Sequence, residues 1–415
     1  MFGSGLSHSF NIADLREAAQ RRLPTGIFDY IDRGAEDERL LVRNRKAFER
    51  LTLVPRSLVD VSRRTTEADL MGHRHAMPVA IAPTGAAGLL WHEGELAIAQ
   101  AAASLDLPFT LATGSMTSME KIAEKAGGRL WFQLYMWADR SLSFRLVERA
   151  RAVGFEGLVV TVDTPVLPNR EYNERNGFGL PFSPSPRAMA DMLLHPRWLS
   201  NVLFRYLATT GMPTYENFPE EHRRRITQGG TRSPLMRCDS LNWDDIAALR
   251  EAWPGSLIVK GLLNPQDAAQ AFRLGADAVV VSNHGGRNVD SAIATMEALP
   301  LVLDAVPAGS KVLVDSGVRR GSDIVKAIAM GAHGVLVGRV PLYGVAVAGR
   351  EGATHALRLL QREMDITLAM IGRNAVADLT PDLLGPSASR AHGDPVAGEA
   401  GFRRLEPTGP ALANL

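Results

Sequence analysis

The chain has 415 residues, 46% of them hydrophobic and 22% charged, which is enough apolar material for a sizeable core. A net charge of +1 and 6% aromatics, with no basic-aromatic stripe, give no reason to expect a nucleic-acid partner. The single cysteine, Cys238, excludes an intramolecular disulfide and a cysteine-rich metal site, so no metal is expected.

Residues 11–20 read as a helix, with Asn11 or Asp14 near its start, and Leu23-Pro24-Thr25-Gly26 breaks it. A second helix runs from about Ile27 into the Gly34 region. The first ten residues lack a basic stretch followed by an apolar one, and no run of about 18 apolar residues occurs. The expectation is a cytoplasmic protein with no spanning helix.

From Val79 short aliphatic runs alternate with helical stretches. Eight runs read as strands: residues 79–82, 109–111, 130–133, 158–162, 257–260, 278–282, 311–314 and 334–338. Each is continuous rather than alternating, as a strand buried on both faces should be. Eight β-α units predict an α/β fold, a (β/α)8 TIM barrel with N-terminal helices. One domain over residues 1–384 is expected, with a long insertion at 182–232 after the fourth strand. Residues 385–415, rich in Pro, Gly and Ala, read as a flexible tail.

Polar residues follow these strands, and the C-terminal rim of such a barrel is where active sites are built. Ser282-Asn283-His284-Gly285-Gly286-Arg287 follows the sixth run directly. A glycine-flanked histidine suits a base at neutral pH, and Arg287 can grip a carboxylate in two-pronged fashion. Alone, the motif reads better as a hydrogen-bonded loop histidine beside a surface arginine, and the surrounding constellation shifts that weighting. Asp315-Ser316-Gly317-Val318-Arg319 after the seventh run and Gly338-Arg339 after the eighth make the pairing that holds a phosphate on such barrels. Lys260 ends the fifth run. It could stabilise negative charge on a ring, form a Schiff base, or pair with Asp163 or another strand-end carboxylate. Asp163 is placed to orient His284, and Arg170 offers a second cation. Tyr30 and Tyr135 are candidate hydroxyl donors, although a lone tyrosine is more often half-buried core.

Taken in order, these motifs resemble the FMN-dependent 2-hydroxy acid dehydrogenase/oxidase family, with a texture nearest its mandelate and lactate dehydrogenases. The likeness spans about residues 10–384. It includes Asp29-Tyr30, Gly34-Ala35-Glu36-Asp37, Ala82-Pro83-Thr84-Gly85, Trp131-Phe132-Gln133-Leu134-Tyr135, Thr161-Val162-Asp163, Val259-Lys260-Gly261, the His284 motif and Asp315-Ser316-Gly317. The resemblance implies FMN as cofactor and oxidation of an (S)-2-hydroxy acid, mandelate-like or lactate-like, to the 2-oxo acid. It implies His284 as base, Asp163 as stabiliser of its protonated form, and Arg170 and Arg287 on the substrate carboxylate. Tyr30 and Tyr135 would bond the substrate. Pro83, Thr84, Gly85, Thr113, Gln133, Thr161, Lys260 and Ser282 would line the flavin ring. Asp315, with Ser316 beside it, would hold its ribityl chain, and Gly317, Arg319, Gly338 and Arg339 its phosphate. A homotetramer is implied by family habit.

Three departures stand out. Ala112 replaces a serine near the flavin, with Thr113 the candidate substitute. Gly114 replaces the bulky tryptophan of glycolate oxidases and should open the pocket. Asn288-Val289-Asp290 replaces the commoner Gln-Leu-Asp, with little effect expected. In the insertion, apolar residues from Met189 to Leu207 fall near helical spacing, and seven arginines oppose one aspartate and three glutamates. That pattern reads as a membrane-surface helix or as a lid. In mandelate dehydrogenase-like relatives this region attaches the enzyme to the membrane. This implies peripheral contact through residues 186–210 at the inner face of the cell membrane, and electrons passed to a quinone or other carrier. Deleting 186–210 is then expected to leave FMN bound and to release the protein from membranes. The alternatives are an oxidase using O2 to make hydrogen peroxide and an isomerase on a related FMN barrel.

Overall fold

The computed structural model describes residues 6–178, 185–227 and 239–385. Cys238, both ends of the expected insertion and all of the tail beyond Gly385 lie outside the described residues.

Asn11 starts the first helix, its side chain accepting from Asp14 N, and Ile12–Arg22 follows. The second helix, Thr25–Asp32, begins two residues earlier than expected, because Pro24 ends one element and opens the next. A third helix, Arg39–Arg50, and a small antiparallel hairpin, β1 (Ala68–Leu70) and β2 (His73–His75), precede the barrel.

The barrel strands are β3 (Val79–Ile81), β4 (Phe109–Ala112), β5 (Leu130–Leu134), β6 (Gly157–Thr161), β7 (Ser256–Leu262), β8 (Ala278–Val281), β9 (Lys311–Val314) and β10 (Gly334–Val337). All neighbours are parallel, and Val335 pairs with Val79 to close the ring. Each expected strand falls within two residues of an observed one. The strands read as unbroken apolar runs because outward side chains pack under helices while inward ones fill the barrel. Ala80, Trp131, Val159, Ile258, Ala278, Val280, Leu313 and Leu336 form the inner cluster, and Leu70 and Met71 of the hairpin join it. A side chain at Gly334 would meet Leu70 Cδ1 at 2.5 Å, so the hairpin plugs the N-terminal end.

Between β6 and β7 the insertion runs as Pro186–Leu193, Pro196–Trp198, a wide π turn over Leu199–Leu203, and Phe204–Thr209. Ser185 caps the first of these through Ala188 N. Ala188, Trp198, Val202 and Tyr206 are buried, whereas Met189, Leu193, Leu194, Phe204 and Leu207 are exposed. Trp198 Nε1 donates to Leu89 O at 2.7 Å, and Tyr206 Oη accepts from Glu93 N at 3.0 Å. The segment therefore has two apolar faces, one docked on the barrel and one outward. This corrects the expectation for deleting 186–210: the deletion would also uncover the barrel flank beneath Trp198 and Tyr206. No helix among the described residues is long and apolar enough to cross a membrane.

Candidate active site

Side chains alternate along a strand, so residues two apart share a face. The parity that places Trp131, Val159, Ile258, Val280, Leu313 and Leu336 inside the barrel carries Gln133, Thr161, Lys260, Ser282, Asp315 and Gly338 to its mouth. Thr84, on the same parity two residues beyond Ala82, has its Cγ2 3.6 Å from where a side chain on Gly338 would start. Thr84 thus abuts Gly338 across the β10–β3 seam, while a side chain on Gly85 would meet the Gly114 carbonyl oxygen at 3.3 Å.

Lys260 is 3% exposed, donates to Ser282 Oγ at 2.9 Å and pairs with Asp315 Oδ2 at 3.2 Å. Of the alternatives for this lysine, an ion pair does form, with Asp315 rather than Asp163. Burial opposes its charge, but Asp315 and Asp163 outweigh that and raise its pKa, so it stays cationic. Ser316 Oγ donates to Asp315 Oδ1 at 2.7 Å and accepts from Gly285 N at 2.9 Å, linking the β9 turn to the histidine loop.

His284, Gly285 and Gly286 all have positive φ, at 57°, 69° and 74°. The non-glycine residue there costs about 1 kcal/mol. Paired amides hold the turn: Asn44 Nδ2 donates to Asn283 Oδ1 at 2.9 Å, and Asn283 Nδ2 returns a bond to Asn44 Oδ1 at 2.8 Å. The turn aims His284 Nδ1 at Asp163 Oδ1, 2.9 Å away. Asn288 fixes the other partner, donating to Asp163 O at 2.7 Å and Thr164 Oγ1 at 2.9 Å. Asn288 thus anchors the turn that carries Asp163. Burial works against ionisation of Asp163, but His284 and Lys260 hold the carboxyl down at about 2. Burial also lowers the His284 pKa, and Lys260 and Arg170 add to the effect, against Asp163 raising it. The resting pair is a carboxylate and a neutral imidazole, leaving Nε2 for a ligand.

Arg170 and Arg287 lie beside this pair. Arg170 Nε donates to Arg287 O at 3.3 Å, and Arg287 Nη1 to Arg33 O at 2.9 Å. Burial and the neighbouring Arg287 charge push the Arg170 guanidinium down to about 10. Two guanidiniums packed in this way ask for an anion. Arg287 also lies over the Tyr30 ring, 5.5 Å from its centroid. Burial, with Asp163, pushes the Tyr135 phenol up to about 12, so it remains a hydroxyl.

The mouth fits a flavin. Gln133 Nε2 and Thr161 Oγ1 are buried without partners, Thr161 level with Lys260 on the neighbouring strand, and both could bond a polar heteroaromatic ring. Thr113 is already committed: its hydroxyl donates to Gln133 O at 2.6 Å and its N–H to Gln133 Oε1 at 3.3 Å. These bonds orient Gln133, and the hydroxyl keeps acceptor capacity. Gly317, at φ 93°, turns directly against Asn44. Arg319 lies over the Tyr343 ring at 5.9 Å, and buried Arg339 bonds three carbonyls, so part of each guanidinium serves the fold. Among the described residues no cluster of metal-ligating side chains occurs. The Asn44–Asn283 clamp and the role of Asn288 carried no local signal in the sequence.

The FMN-dependent dehydrogenase family model matches residues 19–386. The chain is 42% identical to (S)-mandelate dehydrogenase of Pseudomonas putida, over 90% of this chain and 93% of that one. It is 39% identical to L-lactate dehydrogenase of Pectobacterium atrosepticum, over 89% and 95%. A crystal structure of the monotopic membrane protein (S)-mandelate dehydrogenase superimposes with a TM-score of 0.86 at 42% identity, over 91% of this chain and 99% of that one. Barrel, mouth and these matches agree: the chain belongs to the FMN-dependent dehydrogenase family, oxidoreductases that take FMN as cofactor.

Proposed function

We propose that the enzyme oxidises an (S)-2-hydroxy acid bearing a bulky apolar 2-substituent to the 2-oxo acid and passes the electrons to a membrane carrier. The observation that carries this reading is the 2.9 Å His284–Asp163 pair flanked by Arg170 and Arg287. Arg170 and Arg287 bind the substrate carboxylate, and Tyr30 and Tyr135 steady the hydroxy acid beside them. His284 Nε2 takes a proton from the substrate, and Asp163 stabilises the imidazolium that results. Bound FMN supplies the two-electron acceptor. Gln133, Thr161, Ser282 and the Pro83–Gly85 turn would line its ring, and Lys260 would offset negative charge there. Asp315, steadied by Ser316, would hold its ribityl chain, and Gly317, Arg319, Gly338 and Arg339 would hold its phosphate. Gly114 favours a large substituent, since nothing lies within 4 Å of where its side chain would start.

A membrane carrier is favoured by the outward apolar face of the insertion, from Met189 to Leu207, and by the monotopic relative. The test is anaerobic flavin bleaching by mandelate, lactate, glycolate and longer hydroxy acids, with His284→Ala alongside. Mandelate should bleach fastest, and His284→Ala should keep FMN while losing about two to four orders of magnitude in rate. Bleaching of that variant at the normal rate would remove His284 as base. Rapid reoxidation of the reduced enzyme by air would replace the membrane carrier with O2.

A further inference from the structure

The insertion returns to the barrel mouth. Glu216 N donates to Ser115 O at 3.2 Å. Asn217, fully buried, accepts from Met119 N at 2.8 Å and donates to Thr117 O at 3.0 Å. The return segment thereby clamps the loop that carries Gly114. Thr214 bridges Arg225, and Tyr215 N donates to Arg224 O at 3.4 Å, which fixes the backbone on either side of Tyr215.

The Tyr215 ring is equally constrained. It stacks on Phe218 at 5.0 Å and 15°, and Phe218 stands edge-on to Trp137 at 5.4 Å and 79°. Trp137 is 2% exposed and Phe218 7%, whereas Tyr215 is only partly buried. The three rings thus lead outward from the barrel wall to a tyrosine one residue from the Ser115 contact. Burial raises the Tyr215 phenol, and the nearby Tyr30 hydroxyl adds to the rise, so Tyr215 stays a hydroxyl.

We propose that Tyr215 is a specificity-determining wall of the substrate site, its preorganised ring packing against a planar 2-substituent that the open position at Gly114 admits. The substrate class is then the aryl-substituted 2-hydroxy acids. A ring already held by stacking loses little freedom when a second ring packs on it, so a flat substituent gains over a methyl group. This inference rests on the 2-hydroxy acid reading of the His284 site.

The experiment compares kcat/KM for mandelate and lactate in the FMN-loaded enzyme, together with the Kd of phenylacetate from its perturbation of the flavin spectrum. Tyr215→Phe should leave the mandelate-to-lactate ratio within twofold. Tyr215→Ala should lower the ratio about tenfold and weaken phenylacetate by a similar factor, with lactate kinetics little changed. Tyr215→Leu, which keeps bulk but not planarity, should fall between them and decides the matter if Tyr215→Ala does not fold. An unchanged ratio in the folded variants, or equal losses for both substrates, overturns the proposal. If no hydroxy acid bleaches the wild-type flavin, the parent reading fails instead.

Discussion

His284 was legible as a candidate only in company: alone its loop read as structural, and the glycine-arginine turns after the next two strands changed that weighting. Its electrostatics were not, since they depend on Asp163, which lies 121 residues away, and on burial. The depressed His284 pKa fixes the direction of the pH profile. The reactive form is neutral, so kcat/KM should be level near neutrality and fall in acid, with its midpoint below the ordinary 6.5. On the alkaline side Arg170 loses its charge near pH 10, so KM should rise through that region. Asp163→Asn removes the influence that raises the His284 pKa. The acid limb should then move further down, and kcat should drop by about two orders of magnitude or more as the imidazolium loses its stabiliser. The measurement is initial rate against pH for both proteins; an acid midpoint above 6.5 in the wild type would contradict the burial argument.

The strands could be read because a parallel barrel demands continuous aliphatic runs, and the polar residues following each run then marked the mouth. The insertion could be read only halfway. Its helical spacing suggested either a lid or a membrane face, and the folded segment carries one apolar face docked on the barrel and another turned outward. Which apolar residue faces which way depends on the breaks at Pro196 and the π turn over Leu199–Leu203, which no single helical period captures. Tyr215 was missed because its partners, Phe218 and Trp137, meet it only in three dimensions. Leu194 and Phe204 are 78% and 58% exposed, so Leu194→Glu/Phe204→Glu disturbs only the outward face. Burying each apolar side chain in a membrane contributes about 2 kcal/mol, so the double variant should partition about three orders of magnitude less well. Fractionation should find it soluble, with anaerobic bleaching by substrate unchanged within about twofold. Retention on membranes would show that docking lies elsewhere.

The N-terminal helices, the histidine loop and the last barrel strand form one unit, and Arg339 joins them. Its Nε bonds Ile31 O at 3.0 Å, Nη1 bonds Gly285 O at 2.9 Å and Nη2 bonds Arg33 O at 3.0 Å. One turn on, Tyr343 Oη donates to Asp32 Oδ1 at 2.6 Å, and Arg16 pairs with Asp32 at 2.5 Å. Burial pushes the Arg339 guanidinium down to about 10, still charged at neutral pH. Gly338-Arg339 pointed in the sequence to a phosphate site, but the carbonyl cradle could not be read, since backbone acceptors have no signature in side chains. The two roles separate experimentally. Arg339→Met strips donors from three carbonyls at about 1 kcal/mol each, close to 3 kcal/mol in all. For a domain of this length that is roughly 4 °C of melting temperature, and the loss should appear in the apoprotein as well as in the FMN-loaded enzyme. A contribution to phosphate binding adds a further deficit to the loaded form alone, which excess FMN recovers by mass action. If apoprotein melting is unchanged and only the loaded form suffers, the guanidinium acts on the cofactor, and the N-terminal helices must be held to the barrel chiefly by the Arg16–Asp32–Tyr343 contacts.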